Sequence, residues 1–214
     1  MLRHVISNEL LTVLMVVGLV FLGIAKLLFS KRFDEFMAVL ANTNYLKIYI
    51  RDQKFFDKFD ALLFINLSIS ASTFCFIIYK HVTDHAVADL NTMFKLIAGV
   101  IVIILIKVLL ERLIGSLFEI DKLIDQYLFQ KITYKNFLGV LLIPINAILL
   151  YSVTPSLKHI LIAILFLWII NLIGLVVSFK EHQSFIKSNL FYFILYLCAL
   201  EIAPYVILYK AFNT

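Results

Sequence analysis

Apolar residues in this chain come in long unbroken runs. Six of them, roughly 10–30, 61–79, 94–115, 136–155, 158–179 and 189–210, approach or exceed the 20 or so residues an α-helix needs to cross a hydrocarbon core. Strands of a membrane barrel would alternate apolar and polar positions, and these runs do not. The pattern predicts an all-α, polytopic transmembrane helical bundle of about six spans, one integral membrane domain over residues 1–214. Composition agrees with it: 63% of the 214 residues are hydrophobic and 15% charged, with a mean hydropathy of +0.99. Soluble domains carry about 45–50% apolar and about 25% charged residues. The first run holds Lys26 and is longer than the 7–15 or so apolar residues of a secretory leader, so it is read as a retained span.

The segments between the runs divide the charge unequally. With six spans, Arg3, Lys80, Lys95, Lys158 and Lys210 fall on one side of the membrane. Lys31, Arg32, Lys47, Arg51, Lys54, Lys58, Arg112, Lys122, Lys131, Lys135, Lys180 and Lys187 fall on the other, while Lys26 and Lys107 lie within spans. Cationic loops stay in the cytoplasm, so loops one and three are expected there and both termini outside. The net charge of +5 follows from this asymmetry, and nucleic acid is not an expected partner.

Loop one, residues 31–60, carries two helical patterns. Phe33, Phe36, Met37 and Leu40 share one face at helical spacing. Further on, Lys47, Arg51, Lys54 and Lys58 form a basic stripe if the segment is helical, with Tyr45, Ile48, Tyr49, Phe55, Phe56 and Phe59 opposite. This is the pattern of an interfacial helix, aromatics in the acyl boundary and cations at anionic headgroups. A docking surface for a soluble cytoplasmic protein is the competing reading. Loop three is expected to extend span three as a second amphipathic helix, with Ile120, Leu123, Ile124, Tyr127 and Leu128 on its apolar side.

Charged and amide side chains inside the spans are the candidate chemistry. Glu201, Lys107, Glu111, Asn146 and Asn171 are expected to form a polar layer near the midplane, with Asn66 nearer the cytoplasmic edge. A charge at that depth costs at least about 2.5–3.5 kcal/mol, so such groups face the bundle interior and find partners. Glu201 and Lys107 come from antiparallel spans and are expected to pair, directly or through Asn146. Pro204 and Pro144 are expected to bend spans six and four by leaving the carbonyls of Leu200 and Val140 without a donor. Such a layer either glues helices together or relays an ion or proton, and both readings stand.

Other constellations are weaker. His81 and His85 lie at i, i+4 with Asp84 and Asp89 nearby, but no HExxH glutamate accompanies them, so no metal is expected. Cys75 and Cys198 lack a CxxC partner and read as small apolar filler in the core. Ser68, Ala71 and Ser72 suit close helix packing. With neither a nucleophile motif nor a phosphate-cradling glycine loop, an enzyme is not expected, and neither is a cofactor.

The stretches "NTNYLKIYIRDQKFFDKFDALLF", "IDQYLFQKITYKNFLGVLLIPIN" and "FYFILYLCALEIAPYVILYK" resemble a family of bacterial multi-span inner-membrane proteins known only as a domain of unknown function. The most specific part is the ending, where Glu201, Pro204, Tyr209 and Lys210 match the family's terminal pattern. The resemblance implies location in a bacterial inner membrane and no particular activity. The resulting expectation is an accessory or assembly subunit of a membrane complex, touching anionic lipid and other membrane subunits. The alternative is a small proton- or ion-coupled transporter or channel that uses the polar layer.

Overall fold

The computed structural model describes residues 8–40, 44–49, 57–83, 89–117, 121–152 and 156–181. Every regular element among them is helical: α1 (Glu9–Leu28), α2 (Ser30–Met37), α3 (Asn44–Tyr49), α4 (Lys58–Thr83), α5 (Leu90–Leu117), α6 (Asp121–Ala147) and α7 (Leu157–Glu181). A π-helical turn, Ile148–Ser152, continues α6. Five helical stretches are long and apolar enough to cross a membrane: Glu9–Leu28, Lys58–His81, Leu90–Leu117, Ile124–Ser152 and Leu157–Gly174. The chain is a multi-pass membrane protein. The sixth expected span, 189–210, lies outside the described residues.

Short polar side chains start α4 and α5. Asp57 precedes α4, and its Oδ1 accepts from the Phe59 amide at 3.1 Å. Asp89 does the same for α5, accepting from Thr92 N at 3.3 Å. Both satisfy amides that the first helical turn leaves without an internal partner.

Helices α4 and α6 form the centre. Of their apolar windows 61% and 50% is buried, against 6% for α5. The two central helices run parallel. Phe59 and Leu63 share a cluster with Phe129, Tyr134 and Phe137, Leu67 lies against Gly139, and Phe74 and Ile77 meet Leu142 and Leu149. The other three long helices run opposite to them. Gly18 of α1 abuts Asn66 while Leu11 packs with Phe76 and Met93. On α5, Gly115 meets Ile124; on α7, Ala163 joins the Phe74 cluster and Gly174 lies against the Tyr134 ring. This alternation puts loops one and three at one end of the bundle and loops two and four at the other.

Several local expectations change. The apolar side of loop three belongs to span four, not span three. Helix α6 runs without a break from Asp121, and Ile124, Tyr127 and Leu128 are buried on it. The contact of Gly115 on Ile124 shows why, because α5 is already turning back against that segment. Cys75 is exposed on α4 instead of filling the core, and Cys198 lies outside the described residues. Pro144 sits inside α6, and within about one helical turn the π-helical segment begins. Local π adjustments of this kind are how a spanning helix re-satisfies groups that a proline frees.

Candidate functional site

The described polar residues gather at two levels of the bundle. Outside the apolar core, at the end of loops one and three, the centre is Arg32. Its side chain is only 13% exposed, and its guanidinium pairs with Asp57 and, at 3.2 Å, with Asp60. Arg32 Nε donates to the Tyr45 hydroxyl at 3.3 Å, and the cation lies 4.8 Å and 4.6 Å from the ring centroids of Tyr49 and Phe59. Burial opposes its charge, but Tyr45 and the two carboxylates outweigh burial and hold the guanidinium above the usual arginine range. Burial, helped by Asp60, pushes the Tyr45 phenol up, so its hydroxyl stays protonated and available to accept from Arg32. Around this point Phe36 meets Tyr45, Phe59 and Phe137 edge-on, with centroids 5.8, 5.8 and 5.9 Å apart. The result is a cap in which α2 and α3 are tied to the start of α4 by both charge and aromatic packing.

This cap revises the reading of loop one. Tyr45 and Phe59, expected in the acyl boundary, are buried in the protein, as are Leu46 and Phe36. A buried arginine requires partners, and the aromatics supply cation–π faces that lipid could not. Among the described residues of the cap, the large apolar side chains of Met37, Leu40 and Ile48 stay exposed. Of the expected basic stripe, Lys58 opens α4 and is exposed, and Lys47 falls in α3. Arg51 and Lys54 lie outside the described residues.

One turn further along the bundle, Glu111 of α5 is 1% exposed and accepts from Lys131 Nζ of α6 at 2.6 Å. Lys131 also lies 5.3 Å from the Tyr127 ring centroid. Arg112 meets Asp125 at 3.6 Å across the same pair of helices, but that pair is 41% and 47% exposed.

The second level lies deeper. Asn146 Nδ2 of α6 donates to the Ser70 carbonyl of α4 at 2.9 Å, and Ser70 Oγ donates to Asn66 Oδ1 at 3.4 Å. Asn66 and Asn146 are fully buried. Ser68, Ser72 and Thr73 each donate to a carbonyl one turn back in α4, which lets polar residues face the interior without cost to neighbours.

Thus the expected midplane set is spread out. Glu111 lies near the end of α5 with Lys131, Asn146 lies with Ser70 and Asn66, and Asn171 is on an exposed position of α7. Lys107 is half-buried on α5, one turn before Glu111. Glu201 and Pro204 lie outside the described residues, as do His85 and Asp84. No group of histidine, cysteine and carboxylate side chains suited to a metal occurs among the described residues. Sequence reasoning missed the roles of Arg32, Asp57, Asp60 and Lys131. Asp57 carried a faint signal as a helix-capping residue, while the other three are recognisable only from contacts across the fold.

A family model described as a domain of unknown function, DUF4271, matches residues 11–212. The chain belongs to this family. No curated protein and no solved structure matches it. The match covers both the Arg32 cap and the Asn66–Ser70–Asn146 level, so both belong to the family domain.

Proposed function

We propose that the chain is an accessory or assembly subunit of a protein complex in a bacterial inner membrane, with the cap on the cytoplasmic side. The observation that carries this reading is the cap itself. Arg32 spends its buried charge on fastening α2 and α3 to α4, and this rigid platform leaves Met37, Leu40 and Ile48 exposed outside the spanning helices. Fixed apolar residues next to a cationic loop suit a protein neighbour or the acyl boundary beneath anionic headgroups. Photo-crosslinking from positions 37, 40 and 48 in cells, followed by mild extraction and mass spectrometry, separates the two. Adducts with one membrane or soluble cytoplasmic protein are the expected result. Adducts with lipid alone, together with a monomer in several mild detergents, would sink the proposal.

The orientation has its own test. In a background without native cysteines, Asp34→Cys should be shielded from impermeant thiol reagents in intact cells, while Lys158→Cys should react. These positions lie at opposite ends of the bundle, so the reverse pattern would invert the protein in the membrane.

A second reading, a small ion- or proton-coupled transporter, draws on the buried polar level of Asn66, Ser70 and Asn146. Vesicles containing the purified chain and a pH-sensitive dye discriminate it. Flux equal to that of empty vesicles across pH and ions would end that reading.

A further inference from the structure

Three buried side chains near the junction of α1, α4 and α6 carry hydrogen-bonding atoms that no group among the described residues satisfies. Asn66 and Asn136 are both 0% exposed and Thr133 is 1% exposed. The atoms left over are Asn66 Nδ2, both amide atoms of Asn136, and Thr133 Oγ1. Register brings Asn66 and Asn136 to neighbouring levels, with Thr133 about one turn further toward loops one and three. A Cβ on Gly139 would stand 2.7 Å from Leu67 Cα, so these two positions are level on parallel helices. Asn136, about one turn before Gly139, is then level with the stretch from Leu63 to Asn66, and Thr133 follows on the same stripe of α6. From α1, Gly18 brings bare backbone against Asn66, where a Cβ would be 3.1 Å from Oδ1.

A buried polar atom left without a partner is costly, and several near one junction call for something to bind them. The chemistry of the leftover atoms selects the ligand. The two Nδ2 groups only donate, Asn136 Oδ1 only accepts, and the threonine hydroxyl does either. A metal cation could use only the acceptors and an anion only the donors. Water uses both, and buried waters commonly make about three hydrogen bonds to such groups. We infer that the α1–α4–α6 junction is an internal water site, with Asn66, Asn136 and Thr133 as its protein ligands.

Among the described residues, apolar clusters lie on both sides of the site. Toward loops one and three lie the packed rings of Phe36, Phe59, Phe129 and Phe137. Toward the other face lie Leu11, Phe76 and Met93. Water there is held, not conducted, and exchanges only when the helices part. The inference rests on this geometry and on neither reading of the function.

Water-edited solid-state NMR on the asparagine-labelled chain in bilayers tests it. The expected result is magnetisation transfer from water to the side-chain amides of both Asn66 and Asn136. In Asn136→Leu, the Asn66 signal should also be lost, because the two share their water. Transfer to neither amide, or to one alone, overturns the shared site, as does an undiminished Asn66 signal in the variant. Hydroxyl-radical footprinting of the unaltered chain needs no variant. Oxidation of buried Leu63 and Ile143 at rates near those of exposed side chains supports the site, and full protection of both overturns it.

Discussion

Lys131→Met will lower the stability of this bundle by about 3–5 kcal/mol, the usual cost of removing one partner from a buried ion pair. The Glu111 carboxylate is 1% exposed, and its Oε1 accepts from Lys131 at 2.6 Å while Oε2 has no protein partner. Removing the lysine therefore takes the 2.6 Å bond from a carboxylate that is almost wholly buried. Combining Lys131→Met with Glu111→Leu removes both charges, and a buried pair replaced by apolar groups of similar size is often neutral or better. The double variant should recover most of the loss. Arg112→Met is the control, because the Arg112–Asp125 pair is about half exposed and such pairs contribute about 0–1 kcal/mol. Thermal stability in one detergent, measured for the singles and the double, decides the matter. A Lys131→Met protein as stable as the parent would mean that Glu111 is not held by this pair.

Much of the architecture was legible because lipid imposes a simple rule. Apolar runs of spanning length must be helices, and alternate spans must run in opposite directions, so five of the six expected spans appear as long helices in the order predicted. Helix α6 shows where the rule stops. Its first half, with Gln130, Lys131 and Thr133, is too polar to read as a span, because sequence shows polarity and not the helices that shield it. The same limit hid Arg32. From the sequence it counted as one cation among the cytoplasmic dozen, while its partners Asp57 and Asp60 lie 25 and 28 residues away. Pairings at that separation have no periodic signature. Asn146 was recognisable as a candidate interhelical amide because an asparagine in a span is expected to face protein. The same expectation failed for Asn171, which is exposed on α7. The acceptor of Asn146, a backbone carbonyl at Ser70, could come only from the fold.

Gly139→Ala will be nearly as damaging, although it adds one methyl group. Within a bilayer the apolar surfaces of helices gain little by leaving lipid, so association depends on close packing and interhelical hydrogen bonds. At Gly139, α6 lies directly against the backbone of α4. A Cβ there would lie 2.7 Å from Leu67 Cα and 2.8 Å from its Cβ, distances that real atoms do not keep. The nearer clash is with backbone, so no rotamer change relieves it and the two helices must move apart. Overpacking of this kind costs about 1–3 kcal/mol, and the separation would also stretch the Asn146–Ser70 bond. Leu67→Ala should therefore fail to rescue Gly139→Ala. Gly174→Ala provides the contrast: its Cβ would meet the Tyr134 ring at 2.5 Å, a side-chain clash that Tyr134→Ala should relieve. Gly23→Ala, with nothing within 4 Å, should be neutral or slightly stabilising, since alanine is the better helix former. Rescue of Gly139→Ala by shortening Leu67 would show that the helices meet through side chains, and the close backbone approach that aligns Asn66 with Asn136 would be lost with it.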